Sequence, residues 1–415
     1  MTEHLFALSS LDCIESQPCN LPGVSSTRSI GSVAGLFAGI GGIELGLAGA
    51  GFEAEILCES WPPAQRVLRE RFDGVGVAGD IRELRSLPHV DIVSGGFPCQ
   101  DLSQAGRTAG IDGAQSGLVT EVFRLLRRRH PRWLVLENVQ FMLQLDGGRG
   151  MRYLIDSLED MKYRWAYRVV DSRFTGVPQR RRRVVLVASR TEDPRSVLFA
   201  DDASEPETDR YRQDAFGFFW TEGLRGLGWA VDAVPTLKGG STIGIPSPPA
   251  VWLPGAVAGR KLVTPSIEDA EALQGFARGW TDCLEGKRAH GTRWKLVGNA
   301  VTTGVSAWLG RRFASPGESA AAESMIDAGA AWPTAAHGSR GKVFKVAVSE
   351  YPLQRDYQHL TDLVDVEKAR ALSRRGASGF FDRTRRGTLR IDSKFLADVA
   401  EHIELASAQL VLSPA

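Results

Sequence analysis

Residues 33–50 read Val-Ala-Gly-Leu-Phe-Ala-Gly-Ile-Gly-Gly-Ile-Glu-Leu-Gly-Leu-Ala-Gly-Ala. A short apolar run comes first, a glycine-rich turn follows at 35–42, and an amphipathic stretch begins at 42. Strand, turn and helix in that order form the first half of a βαβ unit. Glycines at such a turn let the backbone bend sharply and approach a nucleotide-type ligand. A dinucleotide fingerprint would need a further glycine at 44, where Glu44 stands, so the pattern disfavours a nicotinamide cofactor.

Working outward, apolar strand candidates recur at 54–58, 75–78, 91–94, 133–137, 166–171 and 184–188. Helical periodicity fills the gaps at 64–72, 117–129 and 151–161, the last with Met151, Leu154, Ile155, Leu158 and Met161 on one face. This alternation predicts a mostly parallel sheet covered by helices on both faces. Residues 1–32 are polar and read as an N-terminal arm, and the α/β pattern occupies 33–190. Residues 191–259 abandon it for an acidic stretch, an aromatic cluster at 216–220 and a Gly/Pro-rich run. Helical pattern returns within 260–313; residues 314–340, rich in Ala, Gly and Ser, read as a linker before a basic extension at 341–415.

Composition narrows the class. With 43% hydrophobic and 24% charged residues, the 415-residue chain is neither disordered nor collagen-like. No run approaches the apolar length of a membrane span, and residues 1–11 lack the basic start and apolar block of a secretory signal. The five cysteines include no Cys-x-x-Cys pair, which argues against a disulfide framework or zinc ribbon. A reducing cytoplasm is therefore expected, where a catalytic thiol stays free. The net charge of +1 is uninformative about nucleic acid, but 41 Arg stand against nine Lys. Their clustering at 127–129, 180–183, 374–375 and around 383–386 can present local basic faces.

Several residues carry chemistry. Glu59 ends the second strand candidate, where a carboxylate suits two ribose hydroxyls. Trp61 offers a ring face to an adenine, and Asp80, with Ile81 beside it, offers an acceptor to an adenine amino group. Cys99 follows Pro98 in Gly-Gly-Phe-Pro-Cys-Gln-Asp-Leu-Ser (95–103), on a loop above the same sheet edge. A structural cysteine usually sits inside a strand or helix, so this one reads as reactive. Glu137 lies near the end of Leu-Val-Leu-Glu-Asn-Val (134–139); a carboxyl beside a thiol suits a substrate protonated while it is attacked. Gln179 and four arginines open the next strand, and alternation sends Arg181 and Arg183 to one face and Arg180 and Arg182 to the other. Val-Gly-Asn-Ala-Val (297–301) is expected to begin a late helix.

In this order the segments Phe-Ala-Gly-Ile-Gly-Gly, Pro-Cys-Gln, Glu-Asn-Val, Gln-Arg-Arg-Arg-Arg and Gly-Asn-Ala-Val resemble the DNA (cytosine-5) methyltransferase family, over about 33–190 and 260–313. The resemblance implies a Rossmann-like α/β methyltransferase domain with a small target-recognition module and a C-terminal extension. By it Phe37, Gly39, Gly41, Gly42, Glu59, Trp61, Asp80, Ile81 and Leu118 would hold S-adenosylmethionine, and Asn299, Ala300 and Val301 would close the site from the late helix. Cys99 matches the nucleophile, Glu137 the acid at cytosine N3, and Arg181 and Arg183 the two arginines of the strand-opening motif, with Arg183 at cytosine O2. Residues 191–259 fall where the family keeps target recognition, and Thr236-Leu237 fits a pair often found there. Gln100, Ser103, Thr236 and Leu237 are the expected DNA contacts. Two departures are visible: Gly35 stands where the family usually has Asp or another polar residue, and Ser60 separates Glu59 from Trp61.

The resemblance implies methyl transfer from S-adenosylmethionine to C5 of a flipped-out cytosine in double-stranded DNA, through a covalent bond between Cys99 and C6. No metal ligand set is apparent. The expected enzyme is a cytoplasmic monomer with no membrane role, either the modification half of a restriction-modification system, with an endonuclease acting separately, or a solitary enzyme. The rival is a tRNA cytosine-5 methyltransferase using the same site. A dehydrogenase is opposed by Glu44, and a catalytically dead fold by the intact Cys99, Glu137 and Arg183.

Overall fold

The computed structural model describes residues 29–97, 117–239, 247–327 and 329–412. Strands β1 (Gly31–Leu36), β2 (Phe52–Cys58), β3 (Gly76–Ala78), β4 (Ile92–Gly95) and β5 (Trp133–Val139) pair in parallel. After β6 (Arg164–Asp171) come the short β7 (Gln179–Arg180) and then β8 (Arg182–Ser189), which inserts antiparallel between β5 and β6. The expected mostly parallel sheet is thus corrected to one parallel half and one antiparallel half. The cause is the connection from β6: a single 3-10 turn, Ser172–Thr175, reverses the chain where a parallel return would need a crossover helix.

The small module uses β9 (Phe216–Phe218), β10 (Ala230–Val231), β12 (Ala250–Trp252) and β13 (Leu262–Thr264), while β11 (Val234–Pro235) pairs with β7. Further on lie β14 (Glu323–Met325), β15 (Ala335–Ser339), β16 (Lys342–Val346) and β17 (Arg370–Ala371). The main sheet has ten strands in the order β14-β16-β15-β6-β8-β5-β4-β1-β2-β3. The helices Leu118–Arg128 and Arg149–Asp160 cover one face with Val122, Leu126, Leu154 and Leu158. Gly42–Ala48 and Thr303–Ala314 cover the other with Leu47, Trp308 and Leu309.

Residues 314–340, expected as a linker, instead supply β14 and β15. Ala336 of β15 pairs with Tyr167 of β6 and is buried, which protects what would otherwise be a bare sheet edge. The basic extension divides between the two sheets. Its β16 extends the main sheet, whereas β17 pairs with β13 and completes the five-stranded order β10-β9-β12-β13-β17. The helices Arg374–Arg386 and Ser393–Leu412 then bring Phe380 and Phe395 against Phe218.

Around β1 the order reverses: β1 leads to β2 on one side and has β4 on the other, so a crevice opens at the carboxyl ends of β1 and β4, where open α/β sheets bind ligands. Among the described residues no helix is long and apolar enough to cross a membrane.

Candidate active site

The glycine turn forms the floor of that crevice. Phe37, Gly39 and Gly41 adopt left-handed backbone angles, of which the two glycines carry no Cβ cost. A Cβ added at Gly39 would meet nothing within 4 Å among the described residues, which leaves room above it for a ligand. One added at Gly42 would come within 2.7 Å of the Val301 carbonyl oxygen, so the turn is seated directly on the late segment. From beneath, the Trp280 indole donates to the Ile40 carbonyl at 3.0 Å.

The second strand delivers Glu59 to the same turn. Its two carboxylate oxygens accept from the Gly39 and Trp61 backbone N–H groups at 2.9 and 2.7 Å. Each oxygen keeps a further lone pair for a hydroxyl. Lys295 Nζ sits 4.7 Å from the centre of the Trp61 ring. Asp80 ends the same row; hydrogen bonds from Arg82 hold its carboxyl down to about 2. Ile81 is buried in the hydrophobic core, and the half-buried Leu118 packs against that core at the start of its helix. The open glycine turn and the free lone pairs of Glu59 fit an adenosine-bearing cofactor.

Across the crevice, β5 carries Glu137 and the antiparallel β8 carries Arg183, whose Nε lies 2.9 Å from Glu137 Oε1. Burial lowers the Arg183 pKa and the Glu137 carboxylate opposes that. A Cβ on Gly96 would sit 3.4 Å from Glu137 Oε2, and Asn138 Nδ2 donates to the Phe97 carbonyl at 2.9 Å. The chain leading to Cys99 is therefore anchored beside Glu137. Cys99, Gln100 and Ser103 themselves lie outside the described residues. Neither described cysteine is a rival nucleophile: burial pushes the Cys58 thiol up to about 12 and also raises Cys283.

Arg181, expected beside Arg183 in a catalytic role, is turned toward backbone carbonyls. It is buried, and its terminal nitrogens donate to the carbonyls of Leu237, Gly298 and Ala300 at 3.2, 3.3 and 2.6 Å. Gly298 and Ala300 end the helix Ala289–Asn299, so the guanidinium satisfies carbonyls left unpaired there and complements the helix dipole. Burial and the neighbouring Arg183 press its pKa well below the usual arginine range, and Glu137 opposes them. Leu237, expected as a DNA contact, has its side chain 1% exposed, and its N–H donates to Gln179 Oε1 at 2.9 Å. The half-exposed Thr236 gives its hydroxyl to the Arg180 carbonyl at 2.9 Å. Residues 297–301 span the break between two helices rather than opening one, and Asn299 is exposed at the crevice rim.

Two glutamines to which the sequence assigned no role, Gln179 and Gln274, hold this arrangement together. Gln179 Nε2 donates to the Leu273 carbonyl and Gln274 Oε1, and Gln274 Nε2 donates to the carbonyls of Val297 and Ala300. Thr302 and Ser172 continue the chain of hydroxyls. A polar residue opening an otherwise apolar strand, as Gln179 does, was the available signal. Three separate sequence segments thus meet in one buried network.

This constellation is a crevice at the strand ends of a Rossmann-like sheet, with a glycine turn and Glu59 on one side and a Glu137–Arg183 pair on the other. The chain belongs to the family of C-5 cytosine-specific DNA methylases, whose family model matches residues 31–216. It is accordingly a DNA cytosine methyltransferase. It is 46% identical over 369 residues to the Type II methyltransferase M2.BsuMI of Bacillus subtilis (strain 168), covering 86% of this chain and 94% of the relative. To the Type II methyltransferase M.PspPI of Psychrobacter sp. (strain TA137) it is 36% identical over 179 residues, 42% of this chain and 43% of the relative. Among solved structures, the Dnmt2 methyltransferase of S. pombe covers 68% of this chain and 97% of its own at TM-score 0.50 and 14% identity, a likeness of fold.

Proposed function

We propose that the enzyme methylates C5 of a flipped-out cytosine in duplex DNA through a covalent bond to Cys99, as the modification activity of a Type II restriction-modification system in the cytoplasm. The observation that carries the reading is the Glu137–Arg183 pair at the crevice, with the chain leading to Cys99 packed against it. S-adenosylmethionine, held by the glycine turn and Glu59, supplies the methyl group as an electrophile.

Cytosine C5 is a poor nucleophile, which sets the work of the side chains. The Cys99 thiolate forms a bond to C6 while Glu137 passes a proton to N3, so electron density moves to C5. C5 then bonds the methyl carbon as that carbon's bond to the donor sulfur breaks, leaving a neutral thioether. Loss of the C5 proton to solvent and cleavage of the S–C6 bond, with N3 returning its proton to Glu137, regenerate thiolate and base. Arg183 orients Glu137 and stabilises charge at cytosine O2. C6 is inaccessible inside a stacked duplex, so flipping the base costs a few kcal/mol. We assign the choice of DNA sequence to the small module, with Thr236 at its border and residues 370–412 as part of it. The family match does not favour the tRNA alternative.

Tritiated methyl transfer to duplex DNA and to tRNA tests the reading. Label should enter DNA and not tRNA, and Cys99→Ala should abolish it while leaving cofactor affinity unchanged. On duplexes with 5-fluorocytosine at the methylated position, where fluorine cannot leave as a cation, enzyme and DNA should remain joined through denaturing electrophoresis. Turnover of Cys99→Ala within about tenfold of the parent, or no adduct where ordinary DNA is methylated, would refute the thiol mechanism.

A further inference from the structure

Glu44 occupies the first turn of the helix Gly42–Ala48 and is 3% exposed, yet it is no part of the catalytic pair or of the buried glutamine network. Ser94 of β4 donates to its Oε1 at 2.7 Å. Among the described residues its Oε2 has no hydrogen-bond partner. The carboxyl fits against β1 only because residue 35 is glycine: a Cβ there would lie 2.4 Å from Oε1. The same side chain lines the crevice together with Phe37, Gly39, Gly96, Glu137 and Val301.

A carboxyl buried beside a ligand cleft with one oxygen unpaired is costly unless something completes it. Burial raises its pKa, and a cation would reverse that. The position of Glu44 says which part of a ligand arrives there. Glu59 marks the ribose end of the crevice and Glu137 marks the reacting end. The amino-acid tail of the cofactor branches from the sulfur at the reacting end. It is left to lie over the junction of β1 and β4, where Glu44 sits.

We infer that Glu44 is the seat of the cofactor's ammonium group, its free oxygen accepting a charge-assisted hydrogen bond from the amino-acid tail. This rests on the cofactor reading above. Ser94 holds the carboxyl in place, and Gly35 leaves it room. Without a Cβ at 35, a carboxyl reaching from the helix stands where one borne by β1 itself would otherwise be.

Calorimetric titration separates this from a structural role, using S-adenosylhomocysteine, which carries the ammonium, and 5′-methylthioadenosine, which lacks the amino-acid tail. Glu44→Gln should weaken the first by about tenfold or more, as loss of a charge-assisted hydrogen bond requires, and the second by less than about twofold. Moving the carboxyl across, in Gly35→Asp combined with Glu44→Ala, should recover most of the lost affinity. Equal weakening of both ligands, or no weakening of either, would overturn the assignment. Should Glu44→Gln fail to fold, the parent protein still decides: S-adenosylhomocysteine N-acetylated on its amine should bind at least about tenfold less tightly than the free amine, and equal binding would overturn the proposal. A parent that binds none of these compounds would instead refute the cofactor reading itself.

Discussion

At the crevice, Gln179, Arg181 and Gln274 fix the backbone of three segments through directional hydrogen bonds to buried carbonyls. The small sheet is held by rings instead: Phe218 lies 5.1 and 5.0 Å from Phe380 and Phe395, and Trp229 and Trp252 lie 5.1 and 5.2 Å from Phe395. Hydrogen bonds specify position to a fraction of an ångström but cost desolvation. Ring packing contributes much stability with looser geometry. The comparison teaches where accuracy is needed. Ala300 lines the crevice together with Glu137, whereas the aromatic core need only keep its sheet in place.

The contrast fails if the two regions melt together. Phe395 is fully buried at the centre of the aromatic cluster, so Phe395→Ala should cost about 3–5 kcal/mol in the small module. Cofactor affinity should be unchanged, because no ring of that cluster lines the crevice. Urea denaturation followed by tryptophan fluorescence, with cofactor titration alongside, measures both. A fall in cofactor affinity would mean that the regions form one cooperative unit.

A somewhat smaller loss is expected at the crevice. Arg181→Met fills similar volume but leaves the Leu237 and Gly298 carbonyls without their donor and the Ala300 carbonyl with Gln274 alone, costing about 3 kcal/mol. Arg181→Lys should recover only part of it, since one ammonium cannot reproduce a planar fork reaching three acceptors. Cofactor affinity should fall here, in contrast to Phe395→Ala, because Ala300 and Val301 border the glycine turn. Denaturation midpoints close to the parent's would show that the carbonyls find other partners and that the network is dispensable.

The regions also differ in how far the sequence disclosed them. The parallel half was legible because each strand is a short apolar run punctuated by glycine or a charged turn, and Glu59, Glu137 and Arg183 stand at strand ends where side chains face the crevice. The surroundings of Arg181 were not legible, because strand alternation tells which face a side chain takes, not whether another segment covers that face. Here the helix end at 298–300 covers it. The fate of 314–412 was hidden by long-range pairing. The strand β15 joins β6 and β17 joins β13, from partners more than 100 residues away, and Ala- and Arg-rich composition conceals such short strands.

The smallest effect lies at the exposed end of the cofactor row, where a charge is neither buried nor enclosed by rings. Asp80 accepts from the Arg82 backbone N–H and Nε, each at 2.9 Å, and its carboxyl is held down to about 2 from an ordinary value of 3.8. A folded-state pKa below the unfolded one means that the contribution is complete above about pH 4 and is lost as the pH falls toward 2. Side-chain exposures of 24% for Asp80 and 68% for Arg82 leave the pair screened by water and salt, so the neutral-pH effect should be slight. Asp80→Asn should therefore lie just below the parent in stability at pH 7, and the gap should close between pH 4 and pH 2 and shrink in about 0.5 M salt. Urea titrations of both proteins across that range test it. A gap that persists at low pH and high salt would assign the contribution to the turn's backbone hydrogen bond rather than to charge. Asp80 would then resemble the geometric devices of the crevice more than an exposed ion pair.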